Sequence, residues 1–166
     1  FDYAHGNSID KDSSGNYLIS LRHTDAVYYI GQNGQIIWSL GGENNDFNFV
    51  NDRGFSGQHD ARFINDSTIS LFDNSNNLSP RHSRGVIYRL DTNNWEAHKI
   101  GEYHYTDTVY GRALGSFELK EDGTTVTNFN FGWIGNHTPS FIHSDQNNNL
   151  ISEFYFLDTV VSYRCR

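Results

Sequence analysis

With 166 residues, 36% of them hydrophobic and 15% aromatic, the chain can fill one packed core and not two sizeable ones. Charged residues make up 19%, and the apolar set is rich in Ile, Leu, Val, Phe and Tyr, which excludes a disordered segment. A net charge of -8 excludes sequence-blind binding to nucleic acid or to an anionic membrane, because either needs a basic face.

No window is apolar for long enough to span a bilayer. The sequence has no Met, starts at Phe1 and stops within "VVSYRCR", so an interior piece of a longer protein is expected. Cys165 has no partner in this sequence and reads as a free thiol or as half of a bridge to a cysteine elsewhere. Sequons for N-glycosylation stand at Asn65, Asn77 and Asn136. About three are expected by chance from this Asn, Ser and Thr content, so they are neutral evidence.

Taken in chain order, helical periodicity is nearly absent and short alternating runs recur between Gly, Asn, Asp and Ser clusters. A polar-led run, "HGNSIDKD", is followed by "NYLISLRH", "AVYYIGQNG" and "QIIWSLGG", the last carrying Trp38. The order then repeats as "HDARFIND", "TISLFDN", "RGVIYRLD" and "WEAHKIGEY", with Trp95. A looser third round runs from "RALGSFELKED" to Phe154 and Phe156. The second strand of each round begins near Tyr17, Thr68 and Thr124, an uneven period of 51 and then 56 residues, as for one β-propeller blade with an insertion. The expected fold is all-β: three four-stranded blades over residues 3–43, 55–105 and 110–157, with 158–166 beginning a further one. Three blades cannot close a ring, so the remainder must come from sequence outside this chain. A β-sandwich is the competing architecture, since short strands and Gly/Asn turns serve both.

The first strand of a propeller blade lines the channel, which gives its polar residues a purpose. On an extended strand His5 and Asn7 share a face, as do Asp60 and Arg62, while His59 points the opposite way from Asp60. Each of these alone reads more readily as a hydrogen bond tying blade to blade. The two histidines at matched repeat positions strengthen a catalytic reading, with Asp60 and Arg62 left to a structural ion pair or a turn. Arg22, closing "SLRH", is placed to grip an oxyanion through its planar fork, or to make a surface ion pair. Asp73 and Asn74, in "LFDN", read as support for a site residue or as a turn. "DKDSSGN" matches half of a calcium loop, but Leu18 and Leu21 stand where later ligands belong, so an Asx turn is expected. His137, near Trp133 in "GWIGNHTP", reads as an exposed polar residue. No phosphate loop, zinc spacing or nucleophile elbow is present.

The runs "DYAHGNSIDKDSSGNYLISLRHTDAVYYIGQNGQIIWSLGG", "FSGQHDARF", "ISLFDN" and "SRGVIYRLD", with "SYR" near the end, closely resemble the aryl sulfotransferase family, in particular its fungal and other eukaryotic branch. The resemblance implies a six-bladed propeller that moves a sulfuryl group from an aryl sulfate to a phenol without a nucleotide donor. It also implies that a channel histidine is transiently sulfated. By motif, His59 would be the nucleophile, His5 and Asn7 would hold the sulfate or assist the leaving phenoxide, and Arg22 would clamp the sulfate oxygens. A further family histidine belongs to an earlier blade that this chain lacks. No cofactor and no metal is expected, and the partners implied are a small aryl sulfate, a phenol and the remaining blades. The implied location is extracellular or in the secretory pathway. Two other readings stay open: a non-catalytic extracellular propeller acting as an interaction or structural glycoprotein scaffold, and a hydrolase that releases sulfate to water.

Overall fold

The computed structural model describes residues 2–105, 109–129, 139–156 and 162–164; Trp133, Asn136, His137 and Cys165 lie outside them. Three antiparallel sheets follow one another along the chain. The first contains β1 (Gly6–Lys11), β2 (Tyr17–Leu21), β3 (Ala26–Ile30) and β4 (Ile36–Gly41), in that order. β5 (Asn48–Val50) leads into the second sheet, formed by β6 (His59–Asn65), β7 (Thr68–Asp73), β8 (Arg84–Asp91) and β9 (Glu96–Tyr103). The third contains β10 (Ser116–Leu119), β11 (Thr125–Asn128), β12 (Phe141–Ser144) and β13 (Leu150–Phe154). These are three separate blades rather than the two facing sheets of a sandwich, and their first strands adjoin, with β6 touching both β1 and β10.

Turn chemistry sets the strand ends. In "DKDSSGN", one Asp12 oxygen accepts the Asn16 N–H at 2.8 Å, and the other accepts the Asn16 amide and the Tyr29 hydroxyl. Asp10 instead faces blade two, where it accepts the Phe63 N–H at 3.0 Å. The two carboxylates are committed to different partners, so the segment is an Asx turn rather than an ion loop.

β5 has no counterpart in the repeat. It pairs parallel to β9 and extends blade two to five strands, in the order β5-β9-β8-β7-β6. Its flanking aromatics explain the attachment: Phe47 packs edge-on against Trp38 and Trp95, and Phe49 against Phe55 and Tyr88.

Alternation buries opposite faces of blade two against different neighbours. Leu71, Ile69, Val86 and Tyr88 meet Leu18, Val27, Trp38 and Leu40 of blade one. Phe72 and Ile87 meet Phe117, Phe129 and Ile142 of blade three. β7 is therefore buried along its whole length. Each such apolar side chain contributes roughly 1.5–3 kcal/mol of burial. Contact between blades two and three is so close at Gly85 that a Cβ there would lie 2.0 Å from a ring carbon of Phe117. No helix among the described residues is long and apolar enough to cross a membrane.

Candidate active site

The site is built where β6 starts. Gly57 and Asp60 both adopt left-handed backbone, at φ 62° and 54°, and the β6–β7 register shifts between His59 and Arg62. This bulge breaks the regular alternation. Asp60 still pairs with Arg62 at 2.9 Å, and Arg62 also donates to the Ile9 carbonyl of blade one. Gln58 turns the other way and is fully buried, its amide donating to Ser20 and to the carbonyls of Leu21 and Ala26.

His59 is left 1% exposed. Its Nδ1 lies 2.7 Å from Asn74 Oδ1 and 3.0 Å from the Gly57 carbonyl. Asn74 settles which ring nitrogen carries the proton. Its amide nitrogen donates to the carbonyls of Gly111 at 2.6 Å and Leu114 at 3.0 Å, on the approach to blade three. Both N–H bonds are thereby used, so the oxygen must face His59 and Nδ1 must be the donor. In the neutral ring the lone pair then sits on Nε2, which is buried and has no hydrogen-bond partner among the described residues. A buried polar atom left without a partner costs roughly 1–3 kcal/mol, so its presence calls for a reason.

Burial pushes the His59 pKa down to about 4, only partly offset by the bond to Asn74; the charges of Arg22 and His5 lower it further. The imidazole is neutral at neutral pH, with its nucleophilic nitrogen bare. The same balance places Arg22 and His5 within electrostatic reach of the ring.

Arg22 stands on the 3-10 turn Arg22–Thr24 that follows β2. One of its terminal nitrogens donates to the Arg112 carbonyl at 3.1 Å, while its Nε is buried and bonded to nothing among the described residues. His5 immediately precedes β1, in left-handed backbone at φ 51°, and its Nδ1 is paired with the Asp2 carboxylate. That leaves Nε2 as the end of the ring free to act elsewhere. Asn7 is committed to the backbone of blade two: its amide nitrogen donates to the Gln58 carbonyl at 2.9 Å, and its oxygen accepts the Asp60 N–H at 3.2 Å. These two bonds make it a staple that holds the bulge carrying His59. Tyr163, in "SYR", stands edge-on to His59 with ring centroids 6.4 Å apart, and Arg164 donates to the Asn7 carbonyl.

Sequence reasoning gave no role to Arg84, which is 2% exposed and ion-paired with Asp52, Asp73 and Glu102. Asp73 in turn accepts the N–H groups of Ser56 and Ser75, so this buried arginine fixes both segments that carry His59 and Asn74. Burial disfavours the charge on Asp52, but the hydrogen bonds from Arg84 and Tyr88 prevail and hold its pKa at about 2. The only available signal was an Arg at the head of the apolar run "GVIY". Asp2, a lone acid three residues before His5, gave none.

Of the sequons, Asn65 is exposed at the β6–β7 turn and Asn77 is exposed with its amide on Asp25.

In comparison with solved structures, the chain is similar to a protein of unknown function from Bacteroides caccae, at 15% identity and a TM-score of 0.58. The match covers 90% of this chain and 49% of that one, so the chain spans about half the length of its structural relative; at that identity the likeness shows the fold alone. No curated protein matches it in sequence. The family model described as Arylsulfotransferase (ASST) matches residues 1–154, over the blades that carry His5, Arg22, His59 and Asn74, and the chain thus belongs to the arylsulfotransferase family.

Proposed function

We propose that this chain supplies the nucleophilic part of a channel site that transfers a sulfuryl group from an aryl sulfate to a phenol by way of a sulfated His59. The observation that carries the reading is the bare, buried Nε2 of a neutral imidazole that feels the charge of an arginine whose Nε is itself unpaired among the described residues. In the first step the Nε2 lone pair forms a bond to sulfur as the S–O(aryl) bond breaks. The leaving aryl oxide takes a proton from His5, whose Nδ1 rests on Asp2. Arg22 offsets charge on the non-bridging oxygens with donors already in place. In the second step a phenol oxygen attacks sulfur, its proton returns to His5, and the N–S bond breaks. A nitrogen with a pKa of about 4 is a good leaving group, which favours that second transfer.

The six-bladed closure, the placement in the eukaryotic branch and an extracellular or secretory location belong to the same proposal. Asn65 is the sequon we expect to carry glycan, since its turn is exposed.

The test incubates the full protein with a chromogenic aryl sulfate and no acceptor, then maps peptides by mass without acid quenching. A sulfuryl group on His59 that clears when phenol is added supports the transferase. Clearance by water at the same rate makes it a hydrolase. An unmodified His59 with no phenolate released overturns the proposal in favour of a non-catalytic propeller.

A further inference from the structure

The mouth of the site holds a second constellation that sulfuryl transfer does not use as such. Asp2, His5 and His23 each present one ligand atom, and these atoms lie within 4.8 Å of one another. Two separate segments bring them together. The His5 carbonyl accepts the Arg22 N–H at 3.0 Å and the Ala4 carbonyl accepts the His23 N–H at 3.2 Å, which zips the chain before β1 to the turn after β2. The left-handed backbone at His5 folds its ring back over Asp2, and the two imidazoles lie 4.9 Å apart between centroids, tilted by 35°. His5 Nδ1 already contacts Asp2 Oδ2, and His23 Nδ1 lies 4.0 Å from the same oxygen.

From this geometry we infer that Asp2, His5 and His23 form a binding site for a divalent transition-metal ion at the channel mouth. Two imidazoles and one carboxylate are the donor set suited to zinc and its neighbours. Ligand atoms around a tetrahedral zinc stand roughly 3.3 Å apart, from bond lengths of about 2.0–2.1 Å; to ligate through Nδ1, His23 must give up its contact with the Asp2 carbonyl at 2.6 Å and turn toward the carboxylate. The ion would take the place of the hydrogen bond between His5 and Asp2. All three side chains are between a third and just over half exposed, so an ion has an open path and keeps a coordination position for water. The consequence for turnover rests on the proposed function: an ion on His5 Nδ1 leaves the ring a single proton, on Nε2, which it gives up less readily than an imidazolium does, so occupancy slows transfer.

The experiment strips the full protein of metal, titrates it with Co2+, and follows the visible ligand-field absorption, with Zn2+ as competitor and no sulfate ester present. One ion per chain is expected, displaced by zinc. His23→Gln and Asp2→Asn should each weaken binding at least about 100-fold, beyond the 10–100-fold that outer-sphere partners cost. His98→Gln, at a surface pair with Glu96, should change nothing. His59→Ala should abolish turnover and leave Co2+ binding intact, which separates failure of one reading from failure of the other. Absence of a one-to-one site, or a spectrum indifferent to His23→Gln and Asp2→Asn, overturns the inference.

Discussion

Removing the Asn74 amide isolates the device that prepares His59. In the alternative tautomer the Nδ1 lone pair would face two oxygens, Asn74 Oδ1 at 2.7 Å and the Gly57 carbonyl at 3.0 Å. Misplacing those partners costs about 2 kcal/mol, a bias of roughly 30-fold toward the nucleophilic form. The Nδ1 bond also strengthens as the N–S bond forms, because the ring gains positive charge. Passing from a neutral to a charge-assisted hydrogen bond is worth about 1–2 kcal/mol. Asn74→Ala keeps the Gly57 contact and loses the rest, so kcat/KM for a chromogenic aryl sulfate should fall roughly 10- to 100-fold. The variant also takes a donor from each of the Gly111 and Leu114 carbonyls, so turnover is to be compared well below its melting temperature. Nitrogen-15 spectra of the His59 ring supply a readout that stability does not move: protonation at Nδ1 in the parent, a mixed population in the variant. A parent ring protonated at Nε2, or a variant with kcat/KM within about threefold of the parent, would refute the reasoning.

Other outcomes follow from the same geometry. Because burial lowers the His59 pKa to about 4 from its ordinary 6.5, the acid limb of kcat/KM should lie near pH 4 rather than 6.5. Its unfolded state binds the extra proton first, so His59 should cost stability as pH falls from 6.5 to 4, by about 3 kcal/mol in full; urea unfolding of His59→Gln should lack that slope. Arg22→Lys keeps the charge and loses the fork, and is expected to lower kcat/KM roughly 10-fold or more; an unchanged value removes Arg22 from the sulfate clamp. Asp52→Asn uncovers part of the buried Arg84 charge and should cost about 3 kcal/mol by urea unfolding, while flattening the stability lost below pH 4 as the Asp52 carboxylate protonates toward its pKa of about 2. Gly85→Ala drives a methyl into Phe117 and should lower the melting temperature by roughly 4–8 °C, from an overpacking cost of about 2 kcal/mol; an unshifted transition would mean that blades two and three do not meet there.

Short alternating runs with Asx and Gly turns determined the strands, and the repeated order of polar-led and Trp-bearing runs determined that they group into blades. Those are local properties: side-chain period and turn chemistry act over a few residues. The QHDAR, HGN and LRH motifs marked the residues from which the proposed site is built. Only the tertiary structure decided what each residue there does. The tautomer of His59 depends on Asn74, which depends on two carbonyls about 40 residues further along the chain. Asn7 is spent on a backbone more than 50 residues away, which no motif encodes. β5 attaches to blade two because aromatic side chains from separate elements meet there, and Arg84 finds its carboxylates on three different segments. Hydrogen-bond satisfaction in a buried site is a property of the whole packed arrangement, since every donor must be counted against acceptors that the fold, and not the sequence order, brings near.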